Sequence, residues 1–539
     1  MKKQIGLFLI FLLAFGLRIY GLNWDQGFHL HPDERFLTMV GTGIRWPKNI
    51  GEYLDTKTSP LNPYNNGYDF FVYGSFPLFL TKAIAERLGL GHYSDFNLVG
   101  RAVSAIFDSG VVILLYQISG QIWPSLIYSL MVLPIQLSHF FAVDTFLNFF
   151  LVLGFYLALK KKVVLAAISL GLALASKISA LLFFPLVIVI IGSNNKREFK
   201  RFFLESISLL LVSFFSFRLF SPYNFKGFIG FNPQFISNLK TLKSFDNPET
   251  WFPPAVQWIK TKPIIFPAIN LFFWGLGPIL GVVVLFSLVS FVRELVRERK
   301  PNYLVLSLIW VAFLFIFQGV QFVKTMRYFL PIYPHLALLA GSFLSSRLKN
   351  GWQKLAVALL LVIYPLMFIN IYSHPHTRVQ ASEWIFKNVS PGKILSCEHW
   401  DDCLPLPLSG YQSIRYQTEM LSLYDPDTKE KWLKISQQLE KIDYLILSSN
   451  RLWGSIPEVS ERYPIAARYY QLLFSDRLGF EKVAEFTSYP KLQILNFKWQ
   501  IVDDWAEEAF TVYDHPKVMI FKNIQKFSQK ELLEQLFST

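Results

Sequence analysis

Acidic residues are scarce in the first two-thirds of this 539-residue chain, which makes the position of each one informative. Two adjacent ones stand in His29-Leu30-His31-Pro32-Asp33-Glu34-Arg35. A carboxylate held near a membrane surface can take the proton of an acceptor hydroxyl, or hold a divalent cation beside a phosphate. The same spacing fits a loop in which Pro32 fixes the turn and Asp33 caps a following helix. His29 and His31 have the chemistry of metal ligands, but His-x-His on a loop lacks the other ligands of a site, so a divalent cation is a candidate cofactor and no more. A second carboxylate, Asp144, stands in Ser138-His139-Phe140-Phe141-Ala142-Val143-Asp144-Thr145, where it could also cap the helix it precedes. Asp108 lies inside an apolar run, two helical turns from Arg101 and about 10 Å along the axis. A buried packing contact suits it, and it is left out of the site.

Basic residues at the ends of apolar runs add a second kind of chemistry: Arg18, Arg101, Lys177, Arg218, Lys324 and Arg327. A single one is explained by a long side chain snorkelling to the interface. Six on the side that should be poor in Lys and Arg suggest an anion, such as the phosphate or pyrophosphate of a lipid whose hydrocarbon chain lies between the helices.

The elements that must position these residues follow from composition. Hydrophobic residues make up 52% of the chain and charged ones 17%, against roughly 25% charged in a soluble domain. The net charge of +14 would suit nucleic acid only if gathered on one surface. It is not: residues 1–372 hold 33 basic and 16 acidic side chains, and residues 373–539 hold 19 and 22. The first part reads as a polytopic α-helical membrane domain with outer loops 23–97 and 221–270, and the second as an extracytoplasmic α/β domain.

A span needs about 20 mostly apolar residues. Eleven candidates lie near 4–22, 98–119, 122–141, 145–159, 163–177, 178–192, 203–220, 271–292, 303–320, 328–345 and 354–372. With Lys2 and Lys3 inside, alternation puts Lys160 to Lys162, Lys196 to Arg201, Arg293 to Lys300 and Arg347 to Lys354 all on the cytoplasmic side, as positive-inside orientation requires. Asp33, Asp144 and the tail then fall outside. No small-x-small cleavage site follows the first apolar run before Trp24, so it is expected to be retained. In the tail, strand-like runs at Lys393 to Cys397, Tyr444 to Leu447 and Val518 to Lys522 alternate with helical ones at Lys429 to Leu439 and Glu461 to Leu473. Cys397 and Cys403 could pair there, on the oxidising side of a bacterial membrane.

These residues together resemble the polyprenyl-phosphate-sugar-dependent glycosyltransferases of family 39, the protein O-mannosyltransferase and aminoarabinose transferase type with the type-C (GT-C) fold. The resemblance rests on Asp33-Glu34, Arg101, Asp144, Lys177 in Ala175-Ser176-Lys177-Ile178-Ser179, and Arg327-Tyr328-Phe329-Leu330-Pro331-Ile332-Tyr333-Pro334. Ser221-Pro222-Tyr223 and the tail's Thr511-Val512-Tyr513-Asp514-His515-Pro516 look like a bacterial branch. It implies a multi-pass enzyme of the plasma or inner membrane, with its catalytic loops extracytoplasmic and a sugar on a polyprenyl phosphate as donor. Asp33 would be the general base toward an acceptor hydroxyl, with inversion at the sugar carbon; Glu34 would support it, and Asp144 would line the same cavity. Arg101 would stand beside the first-loop acids, and Lys177, Arg327 and Arg218 would meet the carrier phosphate. The expected partners are the donor, a lipid, glycan or protein acceptor, and membrane lipids, with no nucleic acid. The α/β tail departs from the eukaryotic mannosyltransferases, which carry a trefoil domain in a loop. Two other classes compete: a transporter, whose charges would sit at mid-membrane, and a non-catalytic membrane protein presenting its tail as a binding module.

Overall fold

The computed structural model describes residues 2–195, 198–295, 302–494 and 497–538; parts of the basic clusters at Lys196 to Arg201 and Arg293 to Lys300 lie outside them. The chain divides into two units. The first comprises residues 1–22, 31–244 and 267–369, and the second 23–30, 245–266 and 370–539. Two short segments from within the first part of the sequence thus belong to the second unit.

The first unit is helical and is a membrane protein by its surface. Helices long and apolar enough to cross a bilayer include Tyr93–Ser119, Phe199–Phe220 and Met326–Arg347, with shorter apolar ones such as Asp144–Leu159, Val163–Ser176 and Tyr303–Gly319. Large apolar side chains are exposed at helical spacing: Ile5, Phe8, Leu9 and Leu12 on one helix, Leu285, Val289 and Val292 on another, and Leu355 and Leu359 on a third. Water would penalise such stripes; lipid tails do not.

Several apolar segments are broken where the site needs them to be. The run 122–141, expected as one span, is two helices, Ile122–Ser129 and Val132–Ser138, with Pro134 in the first turn of the second, where its missing N–H costs nothing. The residues after Ser138 then run irregularly until Asp144 opens the helix Asp144–Leu159. Lys177 is extended, at φ −159° and ψ 131°, between the helix Val163–Ser176 and the 3-10 turn Ile178–Phe183. Arg327 lies in a second 3-10 segment, Met326–Ile332, which Trp310 anchors by donating its indole N–H to the Pro331 carbonyl at 3.0 Å. The first-loop acids open the helix Pro32–Gly43, whose Leu37 and Val40 pack with Phe96, Val99 and Val103 of Tyr93–Ser119.

The second unit is built on a five-stranded mixed sheet of β1 (Ile394–Glu398), β2 (Gln417–Leu421), β3 (Tyr444–Leu447), β4 (Phe480–Phe486) and β5 (Val518–Asn523), in the order β2-β1-β3-β5-β4. β1 runs parallel to β2 and β3, and β5 antiparallel to β3 and β4. Successive side chains alternate faces. Leu445, Leu447, Met519 and Phe521 join one core with Trp432, Ile435 and Leu439 of the helix Lys429–Lys441 and with Tyr469 and Leu473 of Pro464–Phe474. Ile446, Val518 and Ile520 face the opposite core with Val379 and Ile385 of Thr377–Asn388. This is the α/β architecture expected of the tail. Cys397 and Cys403 are joined in a disulfide.

Candidate active site

Four charged side chains of the membrane unit form an alternating chain. Arg327 binds Asp33 through Nη2 to Oδ2 at 2.6 Å, and its Nε lies 3.9 Å from Oδ2 of Asp144. Asp144 in turn accepts from Lys177 Nζ through Oδ1 at 2.7 Å. Tyr328, next to Arg327, offers its ring face to the Lys177 ammonium, 4.7 Å from the centroid. Asp33, Arg327 and Lys177 keep 18%, 21% and 22% of their side chains exposed, whereas Asp144 keeps 3%. An opening therefore reaches two cations and one carboxylate.

Local structure favours these charges. Asp33 and Asp144 both stand in the first turn of a helix, where unpaired N–H groups and the helix dipole stabilise anions. Lys177 directly follows a helix C-terminus, where a cation is favoured. Burial alone would raise the Asp33 carboxyl, but the Arg327 guanidinium outweighs it, with His31 and the Tyr73 hydrogen bond helping, and holds it well below the usual carboxylate range. His31, packed against Phe140 and buried, is held down at about 4 by desolvation and is therefore neutral.

Glu34 points the other way. It is fully buried and accepts two hydrogen bonds from Arg101, from Nε at 2.8 Å and Nη2 at 2.5 Å, and a third from the backbone N–H of Phe141 at 2.8 Å. Arg101 also donates to the Leu22 carbonyl at 2.7 Å. The room for this exchange comes from Gly100: a Cβ there would sit 2.3 Å from the Phe141 ring. The pair thus ties the first-loop helix and the helix Tyr93–Ser119 to the segment that leads into Asp144. Arg101, grouped in the sequence with the phosphate-binding cations, is spent on a buried carboxylate.

The remaining basic residues divide. Arg218 donates to the carbonyls of Pro222 at 3.5 Å and Gly227 at 3.0 Å and lies over the Phe225 ring, so its bonds brace that turn rather than reach Asp33 or Asp144. Lys324 is buried and donates to the Phe322 carbonyl at 2.8 Å. Arg18, grouped with the interfacial cations, is fully buried and pairs with Asp108 at 2.6 Å, while Asp108 also accepts from the Tyr128 hydroxyl at 2.5 Å. The packing role given to Asp108 agrees with this network; a snorkelling role for Arg18 does not. Ninety residues separate the pair, and nothing local in the sequence joins them.

Two site residues escaped the sequence analysis. Tyr73 donates its hydroxyl to Asp33 Oδ1 at 2.9 Å. Gly74 brings that tyrosine close to the Lys177 break: its N–H donates to the Ser176 carbonyl at 3.1 Å, and a Cβ would lie 2.2 Å from the carbonyl oxygens of Ala175 and Ser176. A tyrosine followed by a glycine in a loop is too common a pair to have signalled this.

As for a divalent cation, among the described residues no group of three or more His, Cys, Asp or Glu side chains is arranged to hold one. Asp33 and Asp144 are already compensated by Arg327 and Lys177. The residues present do not fit a metal, and no step below uses one.

The fold has counterparts among solved structures. An oligosaccharyltransferase of Archaeoglobus fulgidus in the apo form superposes with a TM-score of 0.52 at 13% identity, covering 86% of this chain and 72% of that one. The oligosaccharyltransferase AglB of the same organism, in complex with an inhibitory peptide and a dolichol-phosphate, gives 0.50 at 12% identity over 93% and 74%. The fold is that of the GT-C glycosyltransferases. ArnT of Cupriavidus metallidurans bound to undecaprenyl phosphate aligns over 98% of both chains at 13% identity and a lower TM-score of 0.45. No protein-family model matches the sequence, and no curated protein matches it.

Proposed function

We propose that this chain is an integral membrane glycosyltransferase of the family 39 type, of its bacterial branch, that moves a sugar from a polyprenyl phosphate to an acceptor hydroxyl with inversion. The catalytic loops and the C-terminal α/β domain would face the outside of the plasma or inner membrane. The observation that carries the reading is the Asp33–Arg327–Asp144–Lys177 chain, three of whose side chains keep about a fifth of their surface exposed within a unit of apolar helices. That a GT-C relative in fold was captured with a dolichol-phosphate supports a lipid phosphate as the ligand.

The chemistry follows from charge. The donor is a phosphodiester with one negative charge; the released polyprenyl phosphate is a monoester carrying more. Lys177 and Arg327 would therefore bind the departing group better as the bond breaks, which is the condition for catalysis rather than mere binding. As Arg327 turns to the phosphate, Asp33 loses the guanidinium that depresses its basicity and becomes a competent base. The acceptor O–H proton passes to Asp33, the acceptor oxygen bonds to the anomeric carbon, and the electron pair of the old C–O bond leaves on the phosphate oxygen. A single displacement inverts that carbon. Asp144 would hold Lys177 in place, and Glu34 with Arg101 would position Asp33 without touching substrate.

The test is to incubate the purified protein with labelled polyprenyl-phosphate sugars and cell-envelope extract. Transfer with inverted linkage is expected. Uptake of label into the lumen of proteoliposomes without transfer would instead favour a transporter.

A further inference from the structure

The exposed apolar stripes of the membrane helices are explained by lipid, but one exposed apolar surface belongs to the second unit. Lys491–Ile494 and Phe497–Gln500 form an antiparallel pair separate from the five-stranded sheet. Leu492 stands opposite Trp499, with Phe497 two residues from Trp499 along the same strand, while Lys491 stands opposite Gln500 and Gln493 opposite Lys498. Because directly opposed residues share a face, one face is apolar and the other is basic and polar. Phe497 and Trp499 are 72% and 56% exposed, and Val502 and Trp505 just beyond them are exposed as well. A two-stranded ribbon is marginal in water unless its apolar face is covered.

The position of the pair in the chain indicates the cover. It packs beside Asn370–Ser373, the turn that follows directly on the apolar helix Gly351–Ile369, and Ile501 closes its base by donating to the Pro490 carbonyl at 3.0 Å. Because Asn370 follows in the chain directly on that apolar helix, the ribbon's neighbouring turn is tethered to a segment fit to cross a bilayer. Tryptophan and phenylalanine beside the end of such a segment, backed by lysines, are the composition of an interfacial element.

We propose that this strand pair is an interfacial anchor, laying Leu492, Phe497 and Trp499 into the bilayer surface at which Gly351–Ile369 ends, with Lys491 and Lys498 available to lipid phosphates. The occupant of the apolar face is thus lipid rather than a second protein. The inference depends on the membrane fold and not on the transferase reading.

It is tested on the full chain in proteoliposomes of neutral and anionic phospholipid. Among the described residues there is no free cysteine, so a spin label can be placed singly through Trp499→Cys, through Phe497→Cys as an independent position, and through Lys434→Cys on the exposed side of Lys429–Lys441 as a control. Labels at 499 and 497 should be reached by oxygen in preference to a water-soluble nickel chelate, at a depth of about 5–10 Å in the headgroup and acyl boundary, while the label at 434 reads as aqueous. Labels at 499 and 497 as open to the chelate as the control would overturn the anchor. So would labels shielded from both relaxation agents, which would mean that protein covers the face.

Discussion

Two ion-paired groups of the membrane unit start from neighbouring residues and differ in what surrounds them. Asp33 and Glu34 occupy successive positions in the first turn of one helix, about 100° apart around its axis, since a turn takes 3.6 residues. Glu34 enters the core, where Arg101 and a backbone N–H satisfy it away from water. Asp33 enters an opening, where Arg327 is shared with a second acid and can be competed for. The first pair cannot exchange partners without stranding a charge; the second can, because solvent or a phosphate can replace either member. The lesson is that a sealed ion pair positions and an open one reacts, and residue type alone does not distinguish them.

The sharpest way to break this contrast is to remove Arg101. Arg101→Ala leaves Glu34 charged and buried, which should cost about 3–5 kcal/mol of stability. Thermal unfolding of the purified protein would show it. A melting temperature no lower than that of Lys177→Ala would mean that the sealed pair is not structural.

The open group should respond in activity instead. Lys177→Ala or Arg327→Ala should each lose a charge-assisted contact worth roughly 1.5–3 kcal/mol, about a 10- to 150-fold fall in kcat/KM. Arg327→Lys should recover only part, because an ammonium lacks the fork that spans two anions. The exposed Lys434→Ala serves as the control and should leave kcat/KM unchanged. Equal kcat/KM across the set would remove the phosphate from the account and leave its acids.

Smaller effects test how the loop is held. Gly74→Ala places a methyl group against two backbone carbonyls and should destabilise by about 1–3 kcal/mol, as overpacking does. It should also raise KM by parting Tyr73 from the Lys177 break, and a fully parental variant would show that this approach is not needed.

Acid should affect the two neighbours His31 and Asp33 differently. Asp33, held below its ordinary value, contributes stability that is present above about pH 4 and lost only as pH falls further. His31 is neutral in the fold, so as pH drops from about 6.5 towards 4 the unfolded chain takes up a proton that the folded one refuses, and stability declines. A His31→Gln variant should flatten that decline in thermal unfolding between these values; an unchanged slope would assign it elsewhere.

Much of this site was legible because charge in a hydrophobic sequence is costly and therefore conspicuous. Asp33, Asp144, Lys177 and Arg327 were all named from type and sidedness, and the structure brings these four together. What remained hidden was pairing. Arg101 and Arg18 looked like the other cations because their partners lie 67 and 90 residues away. Apolar length between charged residues located the spans, but it read 122–141 as continuous, since the break between Ile122–Ser129 and Val132–Ser138 falls at the apolar pair Leu130 and Met131. Three of the five sheet strands in the tail were visible as strand-like runs, but Gln417–Leu421 and Phe480–Phe486 were not, and the membership of residues 23–30 and 245–266 in the second unit depends on tertiary contacts that no local pattern records.

The central claim is tested most directly by measuring transfer turnover for Asp33→Asn beside its melting temperature, under saturating donor. The account predicts a loss of about 10²–10⁴-fold in kcat in a protein that stays folded at the assay temperature, its melting point lowered only by the loss of the Asp33–Arg327 pair, because the residue acts on the acceptor proton. Near-parental kcat in a folded Asp33→Asn protein would contradict it.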